Sequence, residues 1–162
     1  FGPHSGIDIE LPKGSPVIAA ADGIVIFSGW DCCGGGNTIT IEHGQDTDGN
    51  YIRTVYVHNE ENLVYKGQGV KGGEKIARSG QSGHKASDFP HLHFGVYKGK
   101  TTWVWDSTWK DVSPHDYWLG IDEHKKKLKT EKGVKMFVIP CFDPKVSYSN
   151  NVRFTYPVPC NR

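Results

Sequence analysis

The stretch His91-Leu92-His93-Phe94 carries two histidines separated by a single apolar residue. Because side chains of a β-strand alternate between its two faces, this stretch predicts a strand with both imidazoles on one face and Leu92 in the core. Residues two apart on a strand stand about 6.5–7 Å from each other at the backbone. At that spacing one imidazole can bind a metal ion while the other handles the protons of nearby water.

A second string near the start of the chain, His4-Ser5-Gly6-Ile7-Asp8, adds an imidazole and a carboxylate. Gly6 lets the backbone bend, so His4 and Asp8 can converge on one point. Two histidines and one carboxylate suit zinc and leave a coordination position open, which is typical of a catalytic rather than a structural zinc site. Taken alone, the string also fits a polar turn in which Asp8 accepts local amide hydrogen bonds.

A fourth histidine, His58, closes the apolar stretch Val55-Tyr56-Val57. Regular alternation predicts that its side chain shares a face with Tyr56. A histidine at a strand end is usually a hydrogen-bonded polar residue, so His58 becomes a candidate only beside the inferred metal. The remaining histidines are not assigned to the metal: His43, His84, His115 and His124.

Composition and charge indicate one domain with many turns. A chain of 162 residues can bury a proper core, and 20 glycines with 9 prolines favour short strands over long helices. The formal net charge of +1 gives no reason to expect a nucleic-acid partner. No apolar run reaches the length of a membrane span. The sequence begins at Phe1, without a Met and without a secretory pattern, so we expect a removed leader or a fragment of a longer chain.

Apolar and β-branched residues with period-two alternation predict strands at residues 16–20, 23–30, 38–43, 51–58 and 91–97. Beyond Trp109 the pattern changes, and the charged segment 121–132 predicts a helix whose lysines form a solvated face. Further strands are predicted at residues 101–105, 134–139 and 152–156.

Four cysteines allow several arrangements: Cys32, Cys33, Cys141 and Cys160. Cys141 and Cys160 flank a turn-rich stretch and can pair, or Cys32 and Cys33 can each reach one of that distant pair. A disulfide between the adjacent cysteines would strain the peptide between them. Four free thiols are the remaining alternative, and none of the four has the C-x-x-C spacing of structural zinc sites.

The order of these motifs resembles the lysostaphin-type (LytM-like) zinc endopeptidases, which are peptidoglycan hydrolases. The similarity runs from His4 to Val96 and depends on four strings found together. They are His4-x-Gly6-x-Asp8, Gly14-Ser15-Pro16-Val17-Ile18-Ala19, Tyr56-Val57-His58 and Pro90-His91-Leu92-His93-Phe94.

The resemblance implies a mainly β fold: a compact antiparallel β-sheet, as a sandwich or barrel, with an active-site groove. We expect this domain at residues 1–120, and a C-terminal extension with one helix, packed on or beside it, at residues 121–162. The resemblance also implies that His4, Asp8 and His93 bind one zinc ion, and that His91 and His58 are catalytic. On this basis we expect His91 to be the proton-handling base, and His58 to stabilise the tetrahedral intermediate or to pass the proton to the leaving amine.

The usual activity of such enzymes is cleavage of peptide bonds in the cross-bridge or stem peptide of bacterial cell-wall peptidoglycan. The resemblance therefore implies a peptidoglycan peptide as substrate, a domain that acts as a monomer, and an extracellular, periplasmic, cell-wall or phage-particle location. Two alternatives stay open: a catalytically silent wall-binding or regulatory module of the same fold, and an amidase that cuts the sugar–peptide link. Trp103, Trp105 and Trp109 either line a groove or pack in the core.

Overall fold

The computed structural model describes residues 6–84, 86, 88–102, 107–130, 138–146 and 152–160, with the backbone alone for 126–130. Within these ranges the chain is mainly β, which confirms the predicted fold class. The strands are β1 Ile7–Glu10, β2 Pro16–Ile18, β3 Gly23–Asp31, β4 Gly36–Gln45, β5 Tyr51–Asn59, β6 Glu61–Asn62, β7 Gly69–Val70, β8 Lys75–Arg78, β9 His91–Gly99 and β10 Lys110–Val112. A 3-10 turn at Pro114–Asp116 and the helix α1, Ile121–Thr130, follow.

One antiparallel sheet carries the two histidines of β9. Among the described strands its order is β1-β9-β5-β4-β3-β7, and β10 pairs with β9 beyond the end of β1. In the register of this sheet, His93 lies between Asp8 of β1 and Val57 of β5. The sheet therefore brings the start of the chain beside its middle.

The two faces of this sheet differ in what covers them. Leu92 and Phe94 are fully buried on the core face, where they join the apolar cluster that includes Val17 of β2 and Ala77 of β8. The strands β2, β8 and β6 form a second, smaller antiparallel sheet. His91 and His93 lie on the opposite face, because they alternate with these core residues along β9.

Residues after β10 complete the core. The ring of Trp118 stacks on Phe94 with centroids 5.8 Å apart, and Trp118 and Phe154 form an isolated parallel bridge. The predicted strand at 152–156 is wrong. Successive amides of this segment donate to three separate parts of the chain, so no continuous ladder forms. Their acceptors are the carbonyls of Tyr117, Ala20 and Pro140.

The other C-terminal predictions have different outcomes. The predicted helix is confirmed over Ile121–Thr130, whereas Val138 and Ile139 are not in a strand. Residues 103–105 and 134–137 of two predicted strands lie outside the described residues. Of the open cysteine pairings, the structure contains Cys141–Cys160. The division into 1–120 and 121–162 stays a prediction.

Candidate metal centre

The register of β1 and β9 brings one predicted carboxylate ligand to one predicted imidazole ligand. The ring of His93 donates from Nδ1 to Oδ1 of Asp8 across 2.7 Å. Their side chains are 17% and 31% exposed, so the pair can be reached from solvent. If Nδ1 gives up its proton, both atoms carry lone pairs suited to zinc. The third predicted ligand, His4, lies outside the described residues.

His91 lies on the same face as His93, as the alternation predicts. Its ring is 2% exposed, and Nδ1 lies 3.0 Å from the carbonyl oxygen of Phe89. Because a carbonyl oxygen only accepts, Nδ1 must carry the proton, and in the neutral ring Nε2 presents a lone pair. That Nε2 lies 3.9 Å from Oδ1 of Asp8, which places a proton-accepting atom beside the candidate metal ligands.

The predicted orientation of His58 is wrong. Tyr56 faces the core, where its hydroxyl accepts the N–H of Ala20 and its ring contacts Phe94. The ring of His58 lies on the opposite face, with its centroid 5.0 Å from that of His91 and 6.3 Å from that of His93. The reason is a backbone φ of 65° at His58, which breaks the alternation at the end of β5.

Two neighbouring loops hold His58 in this left-handed conformation. Its N–H donates to the carbonyl of Gly35 across 3.0 Å, and its ring Nδ1 donates to the carbonyl of Ser82 across 2.8 Å. The loops approach each other so closely that a Cβ on Gly36 would lie 2.4 Å from the backbone nitrogen of Gly83. These contacts offset the backbone strain of a non-glycine residue at positive φ, which is of order 1–3 kcal/mol.

Burial lowers the pKa of His58 below its ordinary value, with a smaller opposite effect from the hydrogen bond to the Ser82 carbonyl. The ring therefore stays neutral at neutral pH. Since Nδ1 holds the only ring proton, Nε2 presents a lone pair. In the neutral state His58 is thus a proton acceptor at the site.

The loop between β8 and β9 supplies both carbonyls that set these tautomers, those of Ser82 and Phe89. Sequence analysis missed both residues as parts of the site, because a main-chain carbonyl leaves no signal in residue type. The ring of Phe89 is 47% exposed, and its centroid lies 5.6 Å from that of His91. This places an accessible aromatic side chain next to a candidate catalytic histidine.

Residues left unassigned in the sequence have structural contacts of their own. His43 donates from Nδ1 to the carbonyl of Asp22, and His115 accepts the indole N–H of Trp118 at 3.0 Å. His84 is exposed in the loop before β9. Trp109 packs under Arg53, whose guanidinium carbon is 3.8 Å from the ring centroid. Trp103 and Trp105 lie outside the described residues.

Comparison with known proteins identifies the family of this chain. The family model described as Peptidase family M23 matches residues 2–104, and the chain belongs to this family. The catalytic domain of the antimicrobial peptidase lysostaphin from Staphylococcus simulans has a similar structure. It is 35% identical with a TM-score of 0.55, and the match covers 68% of this chain and 76% of that domain.

Two other relatives differ in what their names describe. A zinc containing peptidase from Vibrio cholerae is 41% identical with a TM-score of 0.52, over 58% of this chain and 26% of that one. The murein hydrolase activator NlpD of Escherichia coli is 43% identical over 101 residues, or 62% of this chain and 24% of NlpD. The chain spans 18–35% of the length of the curated relatives that it matches.

Proposed function

We propose that this chain is a zinc-dependent endopeptidase that cleaves peptide bonds in bacterial cell-wall peptidoglycan. The observation that carries the proposal is the grouping of Asp8, His93, His91 and His58 on one face of the large sheet. The first two are 2.7 Å apart at their donor atoms, and the rings of the other two lie within 5.0 Å of each other. We propose that His4 completes the metal ligands, as the resemblance implies.

The donor set fits zinc, which binds carboxylate oxygen and imidazole nitrogen at comparable distances. Zinc, when bound, supplies a Lewis acid that polarises the scissile carbonyl and activates water. His91, held with its lone pair 3.9 Å from the Asp8 carboxylate, accepts a proton from the attacking water. His58 also presents a lone pair, so it can donate a proton to the leaving amine only after it has taken one up.

A row of small and apolar residues supports an extended peptide as the substrate. The register places Gly95, Val55, Thr40 and Phe27 side by side across four strands, on the face that carries His93. Phe27 ends the row and is 37% exposed. This row carries no formal charge, which suits a peptide backbone that lies across the strands.

We also propose that the chain acts outside the cytoplasm, in the cell envelope or beyond it. The disulfide Cys141–Cys160 supports this location, because such bonds persist in oxidising compartments. Of the helices in the described ranges, none combines enough length with enough apolar side chains to traverse a bilayer.

The similarity to NlpD favours one alternative, a chain that activates another murein hydrolase without cutting bonds itself. Digestion of purified cell walls of two different peptide chemistries, followed by mass spectrometry of the released fragments, separates the two functions. An endopeptidase releases new peptide ends from at least one wall type, loses this activity with a chelator, and regains it with zinc. An activator alone releases nothing, and increases fragment release only when a second hydrolase is added.

The variant Asp8→Ala is the matched control for that digestion. If hydrolysis depends on the proposed centre, this variant leaves the walls intact in the presence of zinc. Fragments from Asp8→Ala in the amount released by the unchanged chain would contradict the assignment of the centre. Identification of the new chain ends also separates an endopeptidase from an amidase.

A further inference from the structure

A second group of side chains with metal-ligand atoms lies at the end of β3 and in the turn that follows it. Asp31, Cys32 and Cys33 each offer one ligand atom, and these three atoms all lie within 4.8 Å of one another. Both cysteines are exposed, and neither is in a disulfide. None of the three side chains belongs to the candidate metal centre of Asp8 and His93.

The geometry of this pair fits a metal ion better than a disulfide. Adjacent Cα atoms are about 3.8 Å apart across a trans peptide, whereas disulfides usually join Cα atoms about 4.4–6.8 Å apart. The sulfur atoms of Cys32 and Cys33 are 3.9 Å apart. Two thiolates at about 2.3 Å from a tetrahedral zinc ion are separated by about 3.8 Å, so the observed spacing needs almost no adjustment.

The carboxylate of Asp31 is held in place by the turn itself. Its Oδ1 accepts the N–H of Cys33 at 3.0 Å, and its Oδ2 accepts the N–H of Gly35 at 3.1 Å. Each oxygen keeps a second lone pair for a cation. A carboxylate fixed beside two thiols thus forms a three-donor set with room for water or a further ligand, because the turn is exposed.

We propose that Asp31, Cys32 and Cys33 bind a thiophilic divalent cation such as zinc, at a site separate from the catalytic one. The neighbouring thiol and carboxylate raise the pKa of the Cys33 thiol, so the cation displaces protons when it binds. The site also adjoins the catalytic face. Gly35, whose N–H binds Asp31, accepts the N–H of His58 at its carbonyl, and a bound cation would brace the turn that positions this histidine.

Titration of the full chain with cobalt(II) tests the proposal, since cobalt replaces zinc at such sites and thiolate ligands give an intense charge-transfer absorption. We expect this absorption in the unchanged chain and its loss in the Cys32→Ser/Cys33→Ser double variant. The double variant Asp8→Ala/His93→Ala is the matched control and should keep it, because the candidate catalytic centre contains only nitrogen and oxygen donors. Absence of the band from the unchanged chain, or its persistence without Cys32 and Cys33, overturns the proposal.

Zinc competition against the cobalt signal measures the contribution of the carboxylate. Asp31→Ala removes one of three donors, so we expect the zinc affinity of the thiol site to fall by at least about tenfold. Unchanged affinity would exclude Asp31 as a ligand. Because the charge-transfer band arises only from thiolates, these results do not depend on whether the chain hydrolyses peptidoglycan.

Discussion

His43 of β4 and His91 at the candidate site use one ring nitrogen in the same way. Each donates its Nδ1 proton to a main-chain carbonyl, that of Asp22 for His43 and that of Phe89 for His91. The distances are 2.7 and 3.0 Å. Both neutral rings therefore have the same tautomer, with a lone pair on Nε2.

The second nitrogen separates the two histidines. Nε2 of His43 lies 2.7 Å from the hydroxyl of Thr54, which lies 3.2 Å from the hydroxyl of Tyr56. This buried chain ends at the N–H of Ala20, so the lone pair of His43 is used in structure. Among the described residues, no hydrogen bond engages Nε2 of His91 or of His58. The same Nδ1 hydrogen bond to a carbonyl therefore occurs in histidines of two kinds. In His43 Nε2 belongs to a structural hydrogen-bond chain, whereas in His91 it remains available for proton transfer.

Removal of the Asp8 carboxylate or of the His93 imidazole should have the largest effect. In Asp8→Ala and His93→Ala we expect the chain to lose one zinc ion, that of the candidate centre, and wall hydrolysis to fall to background, because two ligands hold zinc weakly. Elemental analysis and fragment release measure both. His43→Ala should keep its zinc, and a ligand variant with normal turnover would show that the centre lies elsewhere.

Substitution of the histidines whose Nε2 is available should lower turnover, whereas substitution of His43 should lower stability. His91→Ala and His58→Asn, which tolerates positive φ, should retain zinc while turnover falls by about 10²–10⁴-fold through loss of proton transfer. His43→Ala should instead lower the free energy of unfolding by about 1–3 kcal/mol, because it leaves buried partners unsatisfied. Turnover at saturating substrate and denaturant unfolding on all three variants make the comparison, which fails if His91→Ala keeps normal turnover.

A smaller effect is expected when the residue whose carbonyl orients the His58 ring, Ser82, loses the hydrogen bonds of its side chain. The hydroxyl of Ser82 accepts the N–H of Asn37 at 2.9 Å and donates to the carbonyl of Asn59 at 2.6 Å. Ser82→Ala should lower turnover about tenfold without loss of zinc, through misplacement of the ring. Ser28→Ala is the control, because its hydroxyl also donates to a carbonyl but on the core side. Equal turnover in the two variants would deny Ser82 a positioning role.

The smallest expected effect concerns pH. Burial lowers the pKa of His43 to about 4, below the ordinary value of about 6.5 in the unfolded chain. The unfolded chain binds the extra proton between these values, so the contribution of His43 to stability is complete above pH 6.5 and is lost as the pH falls toward 4. From pH 7 to 4.5, Tm should fall by about 4–8 °C more in the unchanged chain than in His43→Gln. Parallel Tm curves would contradict this contribution.

Much of the fold could be predicted from local sequence because alternation is a local property. The pattern along His91-Leu92-His93-Phe94 decides which side chains share a face, and the structure agrees. The alternation Ile7-Asp8-Ile9-Glu10 also carries the signal of β1. The pairing of β9 with β10 could not be read in this way, because register between distant strands depends on the whole sheet.

The side chain of His58 illustrates what local pattern cannot predict. Alternation after Tyr56 assigns it to the core, yet the hydrogen bonds that His58 donates to the carbonyls of Gly35 and Ser82 hold a positive φ that turns it to the other face. The failed strand at 152–156 has a related cause. Its amides donate to partners far away in sequence, which propensity does not represent.

By itself the sequence determined the chemistry available to this protein: histidines and a carboxylate in family-typical strings, a period-two pattern, and cysteines in adjacent and distant pairs. Only the tertiary structure decided how these groups are used. It joined Cys141 to Cys160, left Cys32 and Cys33 outside a disulfide, and gave His58 and His91 the tautomers that leave Nε2 available. The physical reason is that residue type sets which atoms can donate or accept, whereas the partner of each atom depends on contacts between distant segments.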